Sequence, residues 1–286
     1  MPAAISVPPA LDDYSFEDVL GQLALHSPED ELVVDARACT YVSPFGFTAM
    51  LALAEARAVK PTLLPPDSAD QALYWARAGF FGHAAKLYRV DGAIPAVGST
   101  SESPVLLEVT AVSEAGSLDR IHRGVLRIAT ERIHMEPRVA IGIADGVLEL
   151  CTNVVRHAGS GGWAMIQAYQ YRKRLGGRHA MVIAVCDSGF GVRRSLESGG
   201  RRPANGRWSD AAALEAVLTR DLNAVGGGRG LGLLRACVHR AEGKLSMRSG
   251  TARFAAVPPW DDDLPMRENL APFSGTQVQV IIPEGA

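Results

Sequence analysis

The stretch DGVLELCTNVVRHA (residues 145–158) carries two patterns at once. Val147, Leu148, Leu150, Cys151, Val154 and Val155 make it apolar on most sides, while Glu149, Asn153 and His157 recur at every fourth residue. On an α-helix that interval lines a carboxylate, a carboxamide and an imidazole along one face. The seam has two readings. It is a solvated stripe on a partly exposed helix, or it lies on a mostly buried helix and needs a partner such as a ligand with its metal.

Two later stretches bear on that choice. In VIAVCDSGFGV (182–192) an apolar strand ends on Asp187, with Gly189 and Gly191 following at alternate positions. A carboxylate at a strand end can accept a hydrogen bond from an exocyclic amine, and glycines beside it let a planar ring approach the backbone. Asp-Ser-Gly is also an ordinary turn. In GGGRGLGLL (226–234) the glycines leave backbone N–H groups free to face an anion, and a helix from about Leu231 adds its N-terminal dipole. No Lys-Ser/Thr pair follows, which excludes the common P-loop, and the stretch does not follow a strand in a βαβ unit, so it fits the dinucleotide fingerprint poorly. The alternative is a flexible hinge before a core helix.

The chain has 286 residues and a formal net charge of -2, which gives no electrostatic reason to expect nucleic acid or an anionic membrane as partner. Cys39, Cys151, Cys186 and Cys237 are scattered among apolar neighbours without a C-x-x-C pair, so they read as small buried hydrophobes in a reducing compartment. The N-terminal residues lack a basic region before an apolar core, and no apolar run is long enough to span a bilayer. The expected location is cytoplasmic.

ELVVDA (31–36) reads as a buried strand, and SPFGFTAMLALAEARAV (43–59) as a helix capped by Ser43, with Pro44 in its first turn and Pro61 ending it. TLLPP (62–66) is a second strand; ADQALYWARAGFF (69–81) is a second helix, capped by Ser68 and weakened by Gly79. The Gly-, Pro- and Ser-rich stretch 91–104 lacks periodicity and is the expected linker. Beyond it come a strand (105–112), two helices (117–134 and 137–158) and a strand pair, GWAMIQAYQY and HAMVIAVCDSG, joined by RKRLGGR. An irregular, Arg-rich segment follows 192, then a helix over SDAAALEAVLTRDL, the Gly-rich stretch with its helix, and strands KLSMRSG and TQVQVIIP.

The ordered set E-L-x-x-N-x-x-x-H-A (149–158), D-x-G-x-G (187–191), G-x-G-L-G-L (228–233) and the terminal Gly-Thr of SGTQVQVIIP resembles the successive boxes of the GHKL, or Bergerat-type, ATP-binding domain. The resemblance spans residues 105–286 and implies a two-layer α/β sandwich that binds ATP and Mg²⁺. It implies Glu149 as general base and Asn153 as a Mg²⁺ ligand beside the ATP phosphates. It assigns Asp187 to the adenine amine, with Thr276 helping through water and Gly189 and Gly191 flanking the base. Gly228, Gly230 and Gly232, with Arg229 and Leu231 between them, would hold the phosphates, and His157 would contact phosphate or orient its helix. Residues 192–227 would form the ATP lid, whose Arg193, Arg194, Arg201 and Arg202 could reach a phosphate or an acidic partner.

Within the family, a helix running straight into the E-x-x-x-N element is most similar to the anti-sigma-factor serine kinases. His122 and His134 lack the context of a histidine-kinase phosphoacceptor, and no large transducer domain follows the ATP site. Residues 15–90, after a tail at 1–14, resemble the STAS domains of anti-sigma-factor antagonists, giving a small N-terminal α/β domain. Pro44 and Phe45 occupy the place of the usual phosphoacceptor before Gly46. Such a unit would serve docking or autoregulation. The implied function is an ATP-dependent regulator that transfers the γ-phosphoryl to Ser or Thr of a protein partner, a regulatory factor or STAS-type protein. A non-catalytic, nucleotide-gated binding protein and a simple ATPase are the alternatives, and a homodimer is compatible with either. The segment 251–273, with three consecutive Asp residues, reads as an inserted loop whose acids are solvated.

Overall fold

The structure is a computed structural model that describes residues 3–97, 106–113, 115–172, 174–203, 206–219 and 229–285. It is a mixed α/β fold with a parallel and an antiparallel sheet. Among the described residues no helix is long and apolar enough to cross a membrane.

The N-terminal unit runs β1 (Ala3–Ser6), β2 (Ala10–Leu11), α1 (Phe16–Leu23), β3 (Leu32–Asp35), β4 (Tyr41–Val42), α2 (Pro44–Glu55), β5 (Thr62–Leu64), α3 (Ala69–Arg77), α4 (Phe80–Leu87) and β6 (Arg89–Val90). Strands β1, β3, β5 and β6 form a parallel sheet in that order. The segment read as an N-terminal tail therefore supplies an edge strand, because Ala3–Ser6 find backbone partners along Leu32–Asp35. Ser43 caps α2 as expected, accepting a hydrogen bond from the Gly46 N–H at 3.1 Å. Gly79, at φ 75°, splits the single helix expected over 69–81 into α3 and α4.

The C-terminal unit runs β7 (Leu106–Ala111), α5 (Ala115–Glu131), α6 (Pro137–Asn153), a π-helical turn (Val154–Ala158), β8 (Gly162–Gln170), β9 (His179–Asp187), α7 (Gly191–Ser198), α8 (Asp210–Thr219), α9 (Arg229–Arg240), β10 (Lys244–Gly250), β11 (Ala252–Ala256), β12 (Met266–Arg267) and β13 (Phe273–Pro283). Its seven strands pair antiparallel in the order β12-β11-β10-β13-β9-β8-β7. The stretch after 192, expected to be irregular, begins instead with helix α7.

Period-two alternation assigns the two faces of this sheet. Ile166, Ile183, Val185, Val278, Val280, Leu245 and Met247 face a core shared with α5, α6 and α9. Trp163, Met165, Ala184 and Cys186 point the other way, into a core shared with the N-terminal unit. Helix α2 lies against that second face, and its residues from Pro44 to Ala54 are all buried. A helix that is apolar on every side must be covered on every side. The large sheet covers one side of α2; on another, Phe47 packs against Tyr74, Trp75 and Phe80 at centroid distances of 5.4–5.6 Å. Each large apolar side chain buried this way contributes about 1.5–3 kcal/mol, so the sandwich expected over 105–286 gains a third layer from the N-terminal unit.

Toward β10 and β11 the same face turns polar. Lys244, Arg248 and Arg253 are nearly fully buried there. Their partners come from two distant segments. Arg248 pairs with Glu17 of α1 at 2.7 Å, and Arg253 with Asp13 at 2.6 Å and Asp263 at 2.7 Å. Lys244 lies 3.0 Å from Asp261 and 2.9 Å from Asp263, and donates to the Tyr14 hydroxyl at 2.6 Å. The Tyr14 ring also carries the guanidinium groups of Arg174, Arg253 and Arg267 within 5.2–5.5 Å of its centroid. Two of the three consecutive acids in 251–273 are therefore buried ion-pair partners, contrary to the expectation of a solvated loop; only Asp262 is exposed. Burial works against the Asp263 charge, but Arg253 and Lys244 hold its carboxyl down at about 2.

Replacing Asp263 with Ala leaves two buried cations short of a partner and is expected to cost about 3–5 kcal/mol, read as a lowered urea midpoint. Asp262→Ala, at the adjacent but exposed position, is expected to stay within about 0.5 kcal/mol of wild type.

Candidate functional site

Four antiparallel strands end together at one edge of the large sheet. Asp187 closes β9, Gly162 opens β8, Gly275 and Thr276 stand at the start of β13, and Ser249 and Gly250 close β10. Asp187 is buried, and its Oδ1 accepts the Gly189 N–H at 2.8 Å. Gln277 fixes the strand end from the side, donating through Nε2 to the Asp187 carbonyl at 3.1 Å and to the Ser274 carbonyl at 3.0 Å. Burial pushes the Asp187 carboxyl up to about 6, against the opposing pull of the Gly189 and Thr276 backbone N–H groups. Among the described residues, the groups acting on this carboxylate are neutral backbone N–H donors and no cation.

The glycines around Asp187 are there because backbone passes where a Cβ would stand. A side chain on Gly189 would overlap the Ala158 backbone, and one on Gly275, at φ 80°, would overlap the Asp187 carbonyl. Gly191, at φ 75°, lies against Ser249 Oγ and the Gly275 carbonyl. Ser249 completes the knot by donating to Gly275 O at 2.8 Å and accepting from the Val192 N–H at 2.9 Å.

Helix α6 reaches the same place from the other layer. Its Glu149 and Asn153 are half-buried, and neither side chain has a hydrogen-bond or ion-pair partner among the described residues. One π-helical turn later Ala158 meets Gly189, and Val154 lies against Gly162, so the C-terminal end of α6 packs on the strand ends that carry Asp187. His157 sits in that turn; its side chain lies outside the described part of the structure. Helix α9 closes the third side. A Cβ on Gly230 would overlap the Glu149 side chain, and Gly146 and Gly142 of α6 leave the same kind of room for Leu234 and Cys237 of α9. Gly232 faces open space and Leu231 is half-buried. Gly228 and the Arg229 side chain lie outside the described residues.

The first part of the expected lid is folded and tethered. Leu196, Trp208, Ala213 and Ala216 form a small core between α7 and α8. Arg193 pairs with Asp210 at 3.2 Å, and Asp210 also accepts from the Thr251 N–H at 2.8 Å and from its hydroxyl at 2.9 Å. Phe190 stands exposed at the mouth, with the Arg194 guanidinium 4.7 Å from its ring centre.

Comparison of the chain with family models, curated proteins and solved structures returns no match. The sequence patterns had singled out Glu149, Asn153, Asp187, Gly189, Gly191, Gly230 and Thr276; the structure places Asp187, Gly189, Gly191 and Thr276 together at the strand ends, and Gly230 against Glu149 between α6 and α9. They had not singled out Ser249, Gln277, Gly146 or Gly162. Gly146 and Gly142, four apart on one helix face, were a readable sign of close helix packing; Ser249 and Gln277 sit in plain strand alternation and gave none.

Because the folded-state pKa of Asp187 is raised, its contribution to stability is full below the unfolded value and is lost as pH rises toward about 6. Wild type is therefore expected to lose about 2 kcal/mol between pH 4 and 6 relative to Asp187→Asn, measured by urea unfolding across that range.

Proposed function

We propose that this edge of the sheet binds an adenine nucleotide with Mg²⁺, and that the C-terminal unit is a Bergerat-type ATP-binding domain of the serine-kinase kind. The observation that carries the reading is the buried Asp187 carboxylate, flanked by Gly189 and Gly275, at the strand ends on which the C-terminal end of the Glu149–Asn153 helix packs through Ala158. An exocyclic amine would add one more neutral donor to the backbone N–H groups from which this carboxylate already accepts.

The donor set fits a metal that arrives with its nucleotide. Among the described residues no group of three or more His, Cys, Asp or Glu is placed to hold an ion unaided. Asn153 would contribute one oxygen, and phosphates and water the rest. The nucleotide supplies the transferable phosphoryl group. Glu149, one helical turn before Asn153, would take the proton of the attacking hydroxyl, and the α9 N-terminus would face developing charge. The tethering of α7 and α8 to Ser249 and Thr251 supports a second reading, in which nucleotide occupancy changes the surface these helices offer to a protein partner without chemistry.

Calorimetric titration with ATP, with and without Mg²⁺, followed by product analysis, tests both readings. Asp187→Ala is expected to weaken ATP binding by about ten- to a hundredfold, the value of a buried hydrogen bond to a charged group. Glu149→Gln is expected to keep ATP affinity and lose about 10²- to 10⁴-fold in phosphoryl transfer. Absence of any Mg-dependent ATP binding in wild type would remove the proposal; a Glu149→Gln variant that still regulates its partner would favour the second reading.

A further inference from the structure

One cross-strand row on the back face of the large sheet runs Trp163, Cys186, Gln277, Arg248, Arg253, Arg267, each residue registered opposite the next. Three members of the row are held from the N-terminal unit. The Thr48 hydroxyl of α2 lies 3.2 Å from Cys186 Sγ, Glu17 of α1 forks onto Arg248 at 2.7 and 3.1 Å, and Asp13 holds Arg253. The neighbouring position on each strand belongs to the candidate site. Asp187 follows Cys186, Ser249 follows Arg248, and Thr276 precedes Gln277. Gln277 itself bonds the Asp187 carbonyl. Two further contacts reinforce the pattern, with the Phe16 ring 5.8 Å from that of Phe273, two residues before Gly275, and the Glu55 carboxylate of α2 beside Gly161.

We infer that Thr48 and Glu17 are positioning residues for the nucleotide site: the N-terminal unit sets the place of Asp187, Ser249 and Thr276 from behind, through side chains one residue removed from each. The inference rests on the adenine-nucleotide reading of the site for its ligand and on the ladder row for its mechanics. A strand does not bend between adjacent residues without losing its ladder bonds, so a shift of Cys186 or Arg248 moves Asp187 or Ser249 with it. The Thr48–Cys186 contact is buried and the Arg248 end of the Glu17 pair is nearly so, where loss of one partner is felt by the other. The N-terminal unit is then a wall of the site, and anything that moves α1 or α2 alters what the site binds.

The test uses the full chain carrying Thr48→Val, Thr48→Ser or Glu17→Gln, with Leu63→Val in the four-stranded sheet as a control for general loosening. Two readouts are taken. The first is amide hydrogen exchange at Gly189, whose N–H is held by Asp187, which needs no nucleotide. The second is affinity for ATP against ITP, which carries a carbonyl oxygen in place of the adenine amine. Thr48→Val and Glu17→Gln are expected to speed exchange at Gly189 and to lower ATP affinity about three- to tenfold while leaving ITP unchanged, and Thr48→Ser to restore both. Exchange that responds in a protein binding neither nucleotide would reject the adenine reading and keep the mechanical coupling. Exchange rates matching those of Leu63→Val, or ATP and ITP affinities that fall together, would overturn the inference.

Discussion

Three arginines stand side by side on adjacent strands, Arg248, Arg253 and Arg267, with Lys244 nearby on the same face. Like charges directly opposite one another oppose sheet formation, and burying them raises the cost further. The β10–β11–β12 edge is stable only because carboxylates are inserted between the cations. Asp13 and Glu17 come from the start of the chain, and Asp261 and Asp263 from the loop beyond β11. Tyr14 fills the middle, offering its ring face to four cations and its hydroxyl to Lys244. The sheet therefore cannot be completed from its own residues.

The remaining architecture follows from that dependence. Once α1 is held at Arg248, α2 is laid across β8 and β9, where its apolar surface is covered on all sides. The opposite face of the sheet is free for α5, α6 and α9, whose close approach relies on Gly142, Gly146 and Gly230. Each glycine admits a residue of the facing helix at a distance no side chain would allow. Covering both faces of one sheet leaves its strand ends as the place where polar groups can gather, and that is where Asp187, Thr276 and the α6 seam meet.

Most elements were legible because their signals are local. Alternation marked β10 and β13, a continuous apolar run marked β9, the proline at 137 marked the start of α6, and Ser43 marked the cap of α2. The site residues were legible because Glu149 and Asn153 share a helical interval, and Asp187 ends an apolar strand. What stayed hidden was non-local. KLSMRSG reads as a half-exposed strand, because nothing in seven residues tells that Lys244 and Arg248 are covered by residues more than 200 positions earlier. The same holds for Asp261 and Asp263, whose run of acids looks like solvated loop until their partners are in view. In 192–219 charge and glycine content outweighed the helical signal of GVRRSLES, and the small core around Trp208 was missed with it.

The pairing of Asp13 with Arg253 spans 240 positions of sequence, and that distance sets a time as well as a place. During synthesis the first acidic residues leave the ribosome well before the cations they bind. At about 5–20 residues per second the wait is roughly 10–50 s, longer than most elementary folding events. Over that interval the N-terminal unit must stay compact with α2 uncovered on the side that the sheet will later take. The acids at 12, 13, 17 and 18 surround that region with negative charge in the meantime. Two of those carboxylates, Asp13 and Glu17, thus carry uncompensated charge until the arginines they neutralise have been made.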